Sequence, residues 1–224
     1  MKVCVIYGSE SGTSERGIRG IVKKWQEKNG SKFVVGGIME GCAAAEVGLA
    51  ALAETYDMLV VATSSNGEGD PPYNFHAFLK ALYAAQDEGG EPLKGVGHAV
   101  LGFGCSHFDT FQNCPRLTDK LLGELGSTRV APRAEVDEID QEGGDAAKAK
   151  WSDAVYAVLT SSVPAKAACA WTTPGDTVLD KHDEMLMAAA SGGSVVPVLA
   201  IGALLAAVAG VYVMKFATPA TDEA

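Results

Sequence analysis

Six consecutive residues, Ser9, Glu10, Ser11, Gly12, Thr13 and Ser14, carry four hydroxyls around one glycine, a composition suited to holding an oxyanion. An apolar, β-branched run, Lys2–Tyr7, precedes them, and Ile18, Ile21, Val22 and Trp25 follow at helical spacing. A strand, a tight loop and a helix N-terminus together present unpaired first-turn N–H groups and the positive end of a helix dipole. No Lys or Arg lies between Gly8 and Ser14, so a phosphate held there would meet neutral donors. An ordinary strand-to-helix turn with Ser and Thr caps has the same composition, and the loop alone leaves both readings open. The glycine patterns G-x-G-x-x-G and G-K-[ST] are absent from it, which sets aside dinucleotide and nucleoside-triphosphate loops.

Two further segments combine glycine with polar or aromatic residues. In Ser64-Ser65-Asn66-Gly67-Glu68-Gly69-Asp70-Pro71-Pro72, two glycines flank an acid directly after an apolar run, which lets backbone approach a flat ligand closely. In Gly102–Phe111 aromatic residues stand among small polar ones, and an exposed Phe108 would offer a stacking face.

The elements that must position these loops follow from periodicity. The pattern predicts strands at Lys2–Tyr7, Phe33–Met39, Met58–Thr63, His98–Phe103 and Thr128–Ala131. Helices are predicted at Thr13–Asn29, Ala43–Glu54, Asn74–Gln86, Asn113–Leu125 and Asp145–Leu159. Five alternating pairs define an α/β fold with a doubly wound five-stranded parallel sheet, order 2-1-3-4-5. In that order the loops after strands 1, 3 and 4 meet at one crevice beside the switch point. His98, inside a strand, reads as structural, His76 lies on a helix face, and Cys4 and Cys42 read as buried apolar fillers.

A formal net charge of −10 argues against nucleic acid as a partner. Residues 1–160 carry 15 Lys and Arg against 22 Asp and Glu, so the acidity belongs to the predicted domain and suits a basic partner surface. Five cysteines without C-x-x-C spacing fit a reducing compartment better than a disulfide framework or a zinc site. There is no G-x-S-x-G elbow for a hydrolase.

Beyond residue 160 the composition turns to Ala, Ser, Thr, Pro and Gly, which reads as a linker over 161–194. Residues 195–214 then form an uncharged apolar stretch of twenty residues, the length of one transmembrane helix, with a tail at 215–224. A span placed there is expected to insert after translation and to leave domain 1–160 in the cytosol.

On these three loops the chain resembles the flavodoxin family, most closely the FMN domains of diflavin reductases and nitric-oxide synthases. The resemblance covers roughly residues 2–160. It implies FMN as cofactor, with the 5′-phosphate on Ser9, Glu10, Ser11, Gly12, Thr13 and Ser14. It also implies Ser65, Asn66, Gly67 and Gly69 along one face of the ring system. Gly104, Cys105, Phe108 and Phe111 would lie along the other face, with Phe108 stacked on the ring. Asp137 falls in the acidic run Glu135–Glu142 that follows strand 5 in that group. This run is expected to disfavour negative charge on reduced flavin, and it reads equally as a dock for a basic partner or as a solvated loop. Asn66 stands where reductase relatives often place an aromatic, and Cys105 where Asn or Ser is common. The implied function is a membrane-tethered electron carrier. Its partners would be an NAD(P)H-dependent flavin reductase as donor, a haem or other redox acceptor, and membrane lipid. The alternative is a flavodoxin-fold binding or regulatory protein that no longer holds flavin.

Overall fold

The computed structural model describes residues 1–28 and 32–161. The chain order is β1 (Lys2–Tyr7), α1 (Thr13–Lys28), β2 (Val34–Glu40), α2 (Gly41–Val47), α3 (Leu49–Thr55), β3 (Met58–Ser64), α4 (His76–Glu88), β4 (Gly97–Gly104), α5 (Asn113–Glu124), β5 (Thr128–Arg129), β6 (Ala134–Asp137) and α6 (Gln141–Thr160). All strand pairs are parallel and the order is β2-β1-β3-β4-β5, as the alternation predicts, with β6 also paired to β4.

Each central strand is buried on both faces, and alternate residues divide between two cores. Cys4, Ile6, Leu59, Val61 and Val100 pack under α2 to α5. Val3, Val5, Met58, Val60, Ala99 and Leu101 pack under α1 and α6, where the Trp25 and Trp151 rings lie 6.1 Å apart. Cys4 is the filler expected, and burial pushes its thiol up to about 12. Cys42 is only half-buried, with its Sγ directed to the Tyr73 carbonyl, because it sits on the outer side of α2.

Three elements differ from expectation. The helix predicted at Ala43–Glu54 is two helices, broken at Gly48, whose φ of +86° lies outside the helical region. The fifth strand is split. Thr128–Arg129 pairs with Gly97–His98, and Ala134–Asp137 pairs with Leu101–Gly104 farther along the same edge of β4. Pro132, which has no N–H to give a ladder, lies in the interruption. The last helix starts at Gln141 rather than Asp145, since the Asp140 carboxylate accepts from Gly143 N at 2.9 Å and caps it.

The split fifth strand packs over a buried ionic network. Asp119 receives Arg129 Nε at 2.9 Å, Arg133 Nη1 at 2.6 Å and His98 Nε2 at 3.1 Å. Glu135 receives Arg116 Nη2 at 2.7 Å and Arg133 Nη2 at 3.2 Å. His98 is therefore structural, as its place in a strand predicts. Ser127 Oγ donates to the Val96 carbonyl at 2.9 Å, so it accepts from His98 Nδ1, also 2.9 Å away.

Among the described residues no helix is long and apolar enough to cross a membrane. The expected linker after Ser161, the span at 195–214 and the tail at 215–224 lie outside the described residues, as does Asn29 at the expected end of α1.

Candidate functional site

Parallel pairing places the C-terminal ends of β1, β3 and β4 on one edge of the sheet, and the loops that leave them enclose a cavity of about 260 Å³. One wall is Ser9, Glu10, Ser11, Thr13 and Ser14, from the β1–α1 loop and the first turn of α1. A second is Ser64, Ser65, Asn66 and Gly67 at the end of β3. The third is Phe103, Gly104, Cys105, Phe108, Thr110 and Phe111 after β4, with Glu138 at its margin. Twelve residues read from the three loops thus meet around one space: Ser9, Glu10, Ser11, Thr13, Ser14, Ser65, Asn66, Gly67, Gly104, Cys105, Phe108 and Phe111. One end of it is hydroxylic and the other aromatic.

The hydroxylic end holds a donor without a receiver. Ser14 is buried and its Oγ has no hydrogen-bond partner. Leaving such a group dry and unpaired costs about 1 to 3 kcal/mol. Beside it, Ser9 Oγ accepts from Ser14 N at 3.2 Å, and Ser11 Oγ and Thr13 Oγ1 are 3.2 Å apart. The aromatic end is open: Phe108 is 57% exposed, so a ring face is available to a flat ligand.

Three expected residues do not line the cavity. Gly12 (φ +83°) turns the first loop, and a side chain there would meet Arg16 Nη1. Gly69 (φ +99°) turns the second loop against Asn113 and Thr110, where a Cβ would not fit. The Asp137 carboxylate accepts Ser106 N at 3.0 Å and Ile139 N at 3.2 Å, so it latches the third loop to the end of β6. The Ser106 hydroxyl foremost, and then these two amides, hold its pKa below the ordinary carboxylate value.

The loops are also tied to one another. Ser9 N donates to Asn74 Oδ1 and Tyr73 N to Glu10 Oε2, each at 2.9 Å. Cys114 N donates to Ser65 Oγ at 2.9 Å, and Thr110 Oγ1 to the Gly67 carbonyl at 3.2 Å. Glu10 Oε2 thus accepts from Tyr73, and a carboxylate cannot donate. The donors of this loop are therefore its hydroxyls and the amides not already bonded, those of Ser9 and Ser14 being spent on Asn74 Oδ1 and Ser9 Oγ.

Two features lay beyond sequence reasoning. Glu135 is not a free acid of a solvated run: burial raises its pKa, but the bonds and charges of Arg116 and Arg133 outweigh that and lower it. Of the acids Glu135, Asp137, Glu138, Asp140 and Glu142, Glu138 alone lines the cavity. Arg16 lies outside the hydroxyl loop in sequence, yet its guanidinium turns back to the Ser11 carbonyl at 3.3 Å and Thr13 Oγ1 at 3.4 Å. The loop is therefore not served by neutral groups alone.

Residues 5–151 match the Flavodoxin family, and the chain belongs to it. Membership gives FMN as the cofactor, and the hydroxylic and aromatic ends of the cavity fit a phosphorylated flavin. The chain is 35% identical over 104 residues to methionine synthase reductase of Caenorhabditis elegans, covering 46% of this chain and 15% of that protein. It is 30% identical over 179 residues to the sulfite reductase [NADPH] flavoprotein alpha-component of Bacillus subtilis, covering 76% of this chain and 27% of that one. The chain thus spans a minor part of these relatives. Among solved structures, a flavodoxin mutant from Pseudomonas aeruginosa superposes with a TM-score of 0.52 at 25% identity, covering 69% of this chain and 98% of the other. Oxidised flavodoxin 1 from Bacillus cereus gives 0.51 at 22% identity, covering 68% and 98%, and shares the fold.

Proposed function

We propose that this chain is a membrane-tethered electron carrier that holds FMN in the cavity enclosed by the loops after β1, β3 and β4. It would take electrons from an NAD(P)H-dependent flavin reductase and give them to a haem or other redox acceptor. The observation that carries the reading is the buried, unpartnered Ser14 Oγ at the hydroxylic end of a cavity whose other end exposes Phe108. A phosphate oxygen satisfies the first, and an isoalloxazine ring covers the second. The names of the relatives, reductases and flavoproteins, favour the same role.

FMN supplies one- and two-electron chemistry when bound. The protein's own part is to bind, orient and bias. The hydroxyls of Ser9, Ser11, Thr13 and Ser14 would hold the phosphate, at the positive end of the α1 dipole. Gly67 and Ser65 would bring backbone close to the ring, and Phe108 would offer it a stacking face. Glu138, at the cavity margin, disfavours added negative charge on the ring. The apolar residues 195–214 support a membrane tether, which would hold the domain near a membrane-bound acceptor and raise its effective concentration. Cys4, Cys42, Cys105 and Cys114 are free thiols, in keeping with a domain that faces the cytosol.

The test is to purify the full chain in detergent and titrate it with FMN while following absorbance and flavin fluorescence. Near-equimolar uptake with quenched fluorescence supports the reading. A protein that ignores FMN leaves the alternative, a flavodoxin-fold binding or regulatory protein, for which the departures at Asn66 and Cys105 would then account.

A further inference from the structure

We propose that Arg16 is the phosphate-selecting cation of this site, so that the cavity discriminates FMN from unphosphorylated riboflavin through a charge the loop itself lacks. The inference rests on the flavin reading above. Arg16 is on the first turn of α1, and its guanidinium folds back along the loop rather than outward: Nη1 donates to the Ser11 carbonyl at 3.3 Å and Nη2 to Thr13 Oγ1 at 3.4 Å. Gly12 makes this possible, because a Cβ there would come within 2.6 Å of Nη1. The neighbouring carboxylates are engaged elsewhere. Glu15 is paired with Arg19 at 2.8 Å, and Glu10 Oε2 accepts from Tyr73 N at 2.9 Å.

Two consequences follow from the geometry. By donating to Thr13 Oγ1, Arg16 occupies one lone pair of that hydroxyl, whose proton can then turn toward an anion in the cavity when Ser11 Oγ, 3.2 Å away, is the donor of that pair. Arg16 does not itself line the cavity, but its bonds to Ser11 and Thr13, which do, bring a positive charge beside the hydroxylic end that also holds the unpartnered Ser14 Oγ. A phosphate dianion gains from both, whereas a ribityl hydroxyl can accept the proton but gains little from the charge. Because Arg16 is exposed, the gain is modest and weakens as salt screens it.

The experiment is a calorimetric or fluorescence titration of the full chain and its Arg16→Gln and Arg16→Lys variants with FMN and with riboflavin, at low and high ionic strength. Arg16→Gln is expected to weaken FMN binding about fivefold at low salt and to leave riboflavin binding unchanged. The salt dependence of FMN binding should shrink in Arg16→Gln and persist in Arg16→Lys, which keeps the charge. Thermal melts of the three proteins show whether the fold is intact. Equal losses for FMN and riboflavin would make Arg16 a support of the loop rather than a selector, and unchanged FMN affinity would remove it from the site; either overturns the proposal. A wild-type chain that binds neither flavin instead overturns the flavin reading itself.

Discussion

At the residue scale, the Ser14 hydroxyl and the Phe108 ring make separable claims. Ser14 Oγ is buried and has no partner within the protein, so removing it costs the fold little and costs a phosphate one contact. Ser14→Ala is expected to raise the FMN dissociation constant about tenfold while the melting temperature holds or rises, checked by titration and calorimetry. Phe108 would act through its exposed face. Phe108→Ala is expected to relieve quenching of flavin fluorescence, and equal quenching would take that ring out of the site. Arg16 shows the limit of reading residues in order. The hydroxyl pattern is visible in the sequence, but the folding back of a neighbouring guanidinium depends on the space left by Gly12, which no spacing rule reports.

At the scale of elements, the central strands were legible because β1, β3 and β4 are unbroken apolar runs, and the loops after them are marked by glycine and hydroxyl residues. Gly48 was not legible, because one positive φ does not disturb the apolar spacing of Ala44, Leu49 and Leu52. A Cβ at Gly48 would meet nothing within 4 Å, so any cost of substitution is purely a backbone cost. Gly48→Ala is expected to destabilise the protein by about 1 kcal/mol, seen as a lower urea midpoint, with FMN affinity unchanged. The β5–β6 split was not legible from periodicity: Pro132 interrupts the edge, and Arg133 beside it turns inward to Asp119 of α5, a polar partner that apolar spacing does not report. Burial pushes the Asp119 carboxyl up, but hydrogen bonds from His98 and Arg129, together with their charges, hold it down at about 2. Its contribution to stability is thus present above the ordinary value of 3.8 and is lost as pH falls through about 2. Acid titration of unfolding should show that limb and Asp119→Asn should flatten it. Asp119→Ala, which leaves Arg129, Arg133 and His98 facing an empty position, is expected to cost about 3 to 5 kcal/mol.

At the scale of the whole molecule, the composition separates domain 1–160, with its acidic surface, from the apolar stretch at 195–214. If that stretch is the tether, deleting residues 194–224 moves the protein from the membrane pellet to the soluble fraction without changing its flavin spectrum, whereas continued pelleting assigns membrane attachment elsewhere. Within the domain, the bonds between loops have a consequence for cofactor loading. From Ser9 and Asn74 through Ser65 and Cys114 to Ser106 and Asp137, protein atoms alone stitch a seam around the cavity mouth. The mouth is thus held by bonds that need no ligand atom, and we expect it to keep its shape without flavin. Deuterium uptake at the Cys114 amide should already be slow in protein stripped of flavin, and flavin uptake should proceed in one kinetic phase, as filling a standing mould does.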